Sequence, residues 1–138
     1  MLFRSGLFPH EIPWSKHVLA FRSNFDVTCR LEGGGGALAA ALGSTPAGKL
    51  TFSCFRDKDL RVELESTQKP QFLVTGIETH VCVAQTVLDL LAAGFQVHVP
   101  HDAINSRRSA DKIWALRRMA RAGAVITDRK STRLNSSH

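Results

Sequence analysis

Phe72-Leu73-Val74-Thr75-Gly76-Ile77-Glu78-Thr79-His80-Val81-Cys82-Val83 is the stretch that decides how this chain folds. Its first three residues are apolar and β-prone, whereas beyond Cys82 the residues Val87, Leu88, Leu90 and Leu91 recur at helical spacing up to Gly94. The Cys82 thiol therefore falls at a strand-to-helix turn. A helix N-terminus presents unpaired backbone N–H groups and about half a positive charge, and both favour thiolate over thiol. Two readings of Cys82 stay open on position alone: a nucleophile, or a small buried hydrophobe of the kind free cysteines usually are.

Downstream, Gly94 is a left-handed helix stop, and Phe95-Gln96-Val97-His98-Val99 reads as a strand ended by Pro100. His101, Asp102 and Asn105 occupy the next loop. Ser106 or Ser109 then caps a helix with Ile113, Leu116 and Met119 on one face, Gly123 stops it, and Ala124–Thr127 reads as a further strand. Upstream, Asp57 is placed to cap a helix carrying Leu60, Val62 and Leu64, which Lys69-Pro70 closes. Strands alternating with helices at these lengths imply parallel pairing with right-handed crossovers, hence a doubly wound α/β sheet. Ligands of such sheets sit beyond the carboxyl ends of the strands, where Cys82 and Asp102 both fall.

Residues 1–48 show no sustained period and contain the glycine run Gly33–Gly36, so an irregular segment is expected there, followed by an α/β domain over 49–128. Residues 129–138 are polar, with no apolar face to bury, and read as a disordered tail of non-native character.

The chain has 138 residues and a net charge of +6, which at first suggests a nucleic-acid partner. The excess is not concentrated in a folded patch: residues 1–48 carry four basic and three acidic groups, 49–128 eleven and nine, and 129–138 three and none. Half of it thus sits in the last ten residues without interleaved aromatics, so no nucleic-acid partner is expected. Three cysteines at wide spacing suggest neither a disulfide framework nor a metal site, and no run approaches the roughly 18 apolar residues of a membrane span. A cytoplasmic setting without membrane contact is expected. His80, His98 and His101 lack a matching acidic ligand pattern, so neither metal nor cofactor is expected.

The string Gly76-Ile77-Glu78-Thr79-His80-Val81-Cys82-Val83, together with Thr86–Gly94, Val97–Ala103 and Arg121-Ala122-Gly123-Ala124, resembles the isochorismatase-like hydrolase family, and within it the isochorismatase domain-containing proteins. The resemblance covers about residues 46–128. It implies a Rossmann-like α/β sheet, here in truncated form, and a cysteine hydrolase with an Asp-Lys-Cys triad that acts on amides or, in isochorismatase itself, on a vinyl ether. By the same resemblance Cys82 is the nucleophile, Lys49 the triad lysine, and a non-proline cis peptide falls at Ile77–Glu78. The backbone N–H groups of Glu78 and Cys82 are then the oxyanion donors.

The family aspartate follows an aliphatic run near the N-terminus, a pattern that residues 1–48 lack; Asp26 is the only aspartate there. Asp102 reads either as a ligand-contacting carboxylate or as one that bonds turn amides. His80 reads as pocket lining, because it points away from its near neighbour Cys82 at a helix start. Two functions follow as expectations: a hydrolase of a small amide-like molecule, with a homo-oligomeric assembly, or a non-catalytic module that keeps the fold for binding or oligomerisation.

Overall fold

The structure, a computed structural model, describes residues 2–3, 16–21, 51–66, 68 and 70–134. In chain order these form β1 (Leu2–Phe3), β2 (Lys16–Phe21), a 3-10 turn (Cys54–Arg56), α1 (Lys58–Ser66), β3 (Gln71–Ile77), a π-helical turn (Thr79–Val83), α2 (Ala84–Ala92), β4 (Gln96–Pro100), β5 (Ile104–Asn105), α3 (Ser109–Arg121), β6 (Val125–Thr127) and α4 (Arg129–Leu134). The sheet runs β1-β2-β3-β4-β6, with β1 antiparallel to β2 and the pairs β2–β3, β3–β4 and β4–β6 parallel. This is the parallel α/β architecture that the alternation of strands and helices predicts.

Phe72, Leu73 and Val74 of β3 are all buried. Successive strand residues face opposite sides, so a run of three buried neighbours is what a central parallel strand requires. Phe72 and Val74 share one cluster with Val97 and Val99 of β4, Leu60 and Leu64 of α1, Val87 and Leu90 of α2, and Ala115 and Met119 of α3. All three helices therefore deliver their apolar stripes to the same core. Fully burying a side chain such as Leu64 or Leu90 contributes about 1.5–3 kcal/mol. Phe95 ties the cluster together, its ring meeting Phe72 edge-on at 4.9 Å and Phe55 at 6.0 Å.

Both α2 and α3 end in the same bonded corner. Gly94 donates to the Leu91 carbonyl and Phe95 to that of Leu90; Gly123 donates to Ala120 and Ala124 to Met119. Gly94 and Gly123 have φ of 90° and 106°, a conformation that L side chains avoid. Each corner turns the chain straight into the next strand.

Several local expectations change. Residues 1–48 hold the strands β1 and β2, where an irregular segment is expected. Val18-Leu19-Ala20-Phe21 shows no two-residue alternation, yet it pairs in parallel with Leu73–Gly76 of β3. On α3 the buried positions are Ala115 and Met119, while Ile113 is 49 % and Trp114 65 % exposed. Val62 of α1 is likewise exposed, and the cap is the expected one, the Leu60 N–H donating to Asp57 Oδ1 at 3.2 Å. α3 has no side-chain cap, since Ser106 is engaged elsewhere. The expected disordered tail begins instead with α4, where the Ser131 hydroxyl donates to Asp128 at 2.7 Å.

A Cβ built on Gly94 meets nothing within 4 Å, so a side chain there is opposed by backbone conformation alone. Gly94→Ala should lower unfolding free energy by about 1 kcal/mol, and Gly94→Asn by less, because Asn tolerates the left-handed region better. Urea titration of the three proteins checks the order.

Candidate active site

β3 changes neighbours half-way along. Its first three residues pair with β4, ending at Leu73 opposite His98, and its last two pair with β5, Gly76 opposite Ile104 and Ile77 opposite Asn105. β4 meanwhile continues beside β6 as far as Pro100 opposite Thr127. An open groove of about 420 Å³ lies at this parting, lined by Gly76 and Ile77, the loop Asp102–Asn105, and Lys112. Gly76 has φ of 121° and donates its N–H to the Ala103 carbonyl at 3.0 Å. The next peptide bond but one, Ile77–Glu78, is cis, at the bond where the resemblance implies one.

The chain then enters the π-helical turn. The Glu78 carbonyl accepts from the N–H groups of both Val81 and Val83, each at 3.2 Å, which places Cys82 inside a wide first turn that runs directly into α2. Thr79, Cys82 and Val83 are buried on the inner side, Cys82 at 2 % exposure. Cys82 nonetheless stands outside the contiguous apolar cluster, and the neighbouring Thr79 Oγ1 is buried with no hydrogen-bond partner among the described residues.

The outer side of the turn is polar. His80 is exposed and does not face the thiol. Its Nδ1 lies 3.0 Å from Ser106 Oγ and 3.7 Å from Glu78 Oε2, and its Nε2 lies 4.0 Å from Asp111 Oδ2. The Arg107 N–H donates to Glu78 Oε2 at 3.0 Å, and the Arg107 Nε lies 3.4 Å from Glu78 Oε1. Sequence marks Ser106 only as a candidate helix cap and does not mark Arg107; both come to the turn through the pairing of β5 with β3. Among the described residues no group of three His, Cys, Asp or Glu side chains is placed to hold a metal ion.

Lys49 and Asp26 lie outside the described residues. The segment that follows Lys49 is docked on α2: the buried Cys54 N–H donates to Thr86 Oγ1 at 2.9 Å, and the Arg56 guanidinium holds Asp89 at 2.8 and 3.2 Å. Burial pushes the Asp89 carboxyl up, but hydrogen bonds from Arg56 and Ser53 and the Arg56 charge outweigh it, leaving Asp89 below the usual carboxylate range.

Asp102 lines the groove but spends its carboxylate on α4. Arg129 donates to it through both its N–H and its Nε, each at 3.0 Å. Burial raises the Asp102 carboxyl, and the Arg129 bonds and charge more than offset this and hold it low.

The model of the Isochorismatase domain matches residues 20–131. This chain belongs to the isochorismatase family. Isochorismatase domain-containing protein 1 of Salmo salar is 54 % identical over 56 residues, covering 41 % of this chain and 20 % of that protein. Isochorismatase domain-containing protein 2A of Mus musculus is 40 % identical over 95 residues, covering 66 % and 44 %. The chain thus matches less than half the length of these curated relatives. Among solved structures, the MAR1 ribonuclease of Caenorhabditis elegans superposes with a TM-score of 0.63 at 34 % identity, covering 72 % of this chain and 51 % of that one. YcaC of Pseudomonas aeruginosa, described with hexane-2,5-diol and covalent acrylamide, superposes at 0.66 and 28 %, covering 70 % and 48 %. YcaC of Escherichia coli, described as an octameric hydrolase of unknown specificity, superposes at 0.66 and 26 %, with the same coverage. No described helix is long and apolar enough to cross a membrane.

Thr86→Val leaves the Cys54 N–H buried without an acceptor and should lower stability by about 1–3 kcal/mol, whereas Thr86→Ser should lower it much less. Asp89 makes a different, pH-dependent contribution. Because its folded pKa is depressed, the stability it adds is present above the ordinary carboxylate value of about 4 and is lost as pH falls through the folded value. Urea midpoints should therefore fall less steeply below about pH 4 in Asp89→Asn than in the wild type.

Proposed function

We propose that this isochorismatase-family chain is a cysteine hydrolase of a small amide-like molecule, with Cys82 as nucleophile and the N–H groups of Glu78 and Cys82 as oxyanion donors. The observation that carries the reading is the placement of the Cys82 thiol in the helical turn that joins the carboxyl end of β3 to the start of α2. Cys82 is the attacking group in this scheme. Its sulfur attacks the carbonyl carbon, the carbonyl electron pair moves to oxygen, and two N–H donors take up that charge. The tetrahedral centre then collapses as the C–N bond breaks and a proton goes to the leaving nitrogen, and water hydrolyses the thioester to free the thiol. Lys49 supplies positive charge for the tetrahedral centre in this scheme. Asp26, the only aspartate before Lys49, is the candidate for carrying the proton.

The Cys54–Arg56 segment, which follows Lys49 in the chain, docks on Thr86 and Asp89 of α2, and this supports the role of Lys49. The octameric YcaC neighbour supports a homo-oligomer as the working assembly. One neighbour bears a ribonuclease title. RNA is a poorer fit here, since the carboxylates of Glu78 and Asp111 stand beside His80 and Arg107 on the outer side of the turn and leave no basic patch among these residues. A second reading, a non-catalytic module for binding or oligomerisation, is favoured by the 2 % exposure of Cys82.

Acrylamide separates the two. Mass spectrometry of the protein after incubation near neutral pH should find the adduct on Cys82 ahead of Cys29 and Cys54, forming at least about tenfold more slowly in Lys49→Ala. Equal, slow labelling of all the thiols in both proteins would leave only the non-catalytic reading.

A further inference from the structure

The oxyanion reading of Glu78 concerns its backbone N–H, yet its carboxylate is held as well. This one residue is held at both its carbonyl and its carboxylate. Its carbonyl accepts from Val81 and Val83 inside the π-helical turn, and its carboxylate accepts from the Arg107 N–H at 3.0 Å, with the Arg107 Nε at 3.4 Å. The adjacent Ser106 Oγ meets His80 Nδ1 at 3.0 Å, so two consecutive residues grip the two side chains that leave the outer side of the turn.

We propose that Ser106 and Arg107 are positioning residues that hold the Glu78–Cys82 turn from outside and thereby fix the direction of the Glu78 N–H. The proposal rests on the oxyanion reading given above. The side-chain ion pair alone would not serve, because the Arg107 side chain is 81 % exposed and such pairs contribute little. The bond from the Arg107 N–H is of another kind: its donor is backbone, its acceptor is charged, and holding it immobilises no long side chain. Ser106 is 7 % exposed, so its contact with His80 is the more shielded of the two. Both residues follow β5 directly, and β5 is hydrogen-bonded to the end of β3. The grip therefore starts from the same strand end that it steadies.

Two thiol reagents distinguish donor geometry from thiol reactivity. When the Cys82 thiolate adds to acrylamide, the S–C bond forms as the C=C π bond breaks, and the electron pair moves onto the amide oxygen before a proton reaches the α-carbon. Alkylation by iodoacetamide forms the S–C bond as iodide leaves, and the amide oxygen gains no charge. The ratio of the two rates at Cys82 thus reports on the oxyanion donors.

In Glu78→Ala the acrylamide-to-iodoacetamide ratio should fall about tenfold, a fraction of what losing a whole donor costs. Glu78→Gln keeps an acceptor for the Arg107 N–H and should recover most of it. Ser106→Ala should lower the ratio about threefold and Ser106→Thr restore it, since only the latter keeps a hydroxyl for His80. A ratio within twofold of wild type in both alanine variants would overturn the proposal while leaving the oxyanion reading intact. Equal slowing of both reagents would also overturn it, because the grip would then support only the fold or the thiol. A wild-type ratio no higher than that of glutathione would overturn the oxyanion reading and the proposal together.

Discussion

β3 exchanges one parallel neighbour for another before it ends. Its pairing with β4 stops at Leu73, and β5 takes up the pairing at Gly76. A strand that kept β4 along its whole length would leave no room at the carboxyl edge for the loop Asp102–Asn105. The parting makes the groove, brings Ser106 and Arg107 to the outer side of the turn, and requires at Gly76 a backbone conformation that a side chain would oppose. β2, which pairs with β3 from Gln71 to Gly76, keeps the strand straight on the other side while this happens.

The elements legible from sequence were those with strong local signals. Leucines and valines at helical spacing placed α2, Gly94 and Gly123 placed the ends of α2 and α3, and Asp57 placed the start of α1. Signals that depend on partners were misread. Val18-Leu19-Ala20-Phe21 looks patternless until a parallel neighbour is known, and Ile113 looks like a core residue until the face of α3 is fixed by Ala115 and Met119. The π-helical form of the first turn is equally invisible in composition, because it follows from the Glu78 carbonyl serving both Val81 and Val83.

The candidate site divides along the same line. Cys82 and the cis bond were carried by an unbroken string of residues. Asp102 was ambiguous in sequence, and Arg129 resolves it into a carboxylate bound to the start of α4. Ser106 reads in sequence only as a candidate helix cap and Arg107 not at all, since a serine and an arginine ahead of a helix are ordinary. Only the crossing from β5 back to β3 reveals what they touch, 26 to 29 positions away in the chain.

The corner bonds at Gly94 and Gly123 and the buried cluster are uncharged, whereas three ties at the surface rim are ionic: Arg56 to Asp89, Arg107 to Glu78, and Arg129 to Asp102. Their guanidinium groups are largely in water, where dissolved electrolyte screens them over a Debye length of about 8 Å at 0.15 M. Ionic strength therefore separates two mechanical regimes in this molecule. Concentrated salt slackens the rim while the apolar interior holds, and dilute buffer draws the rim taut.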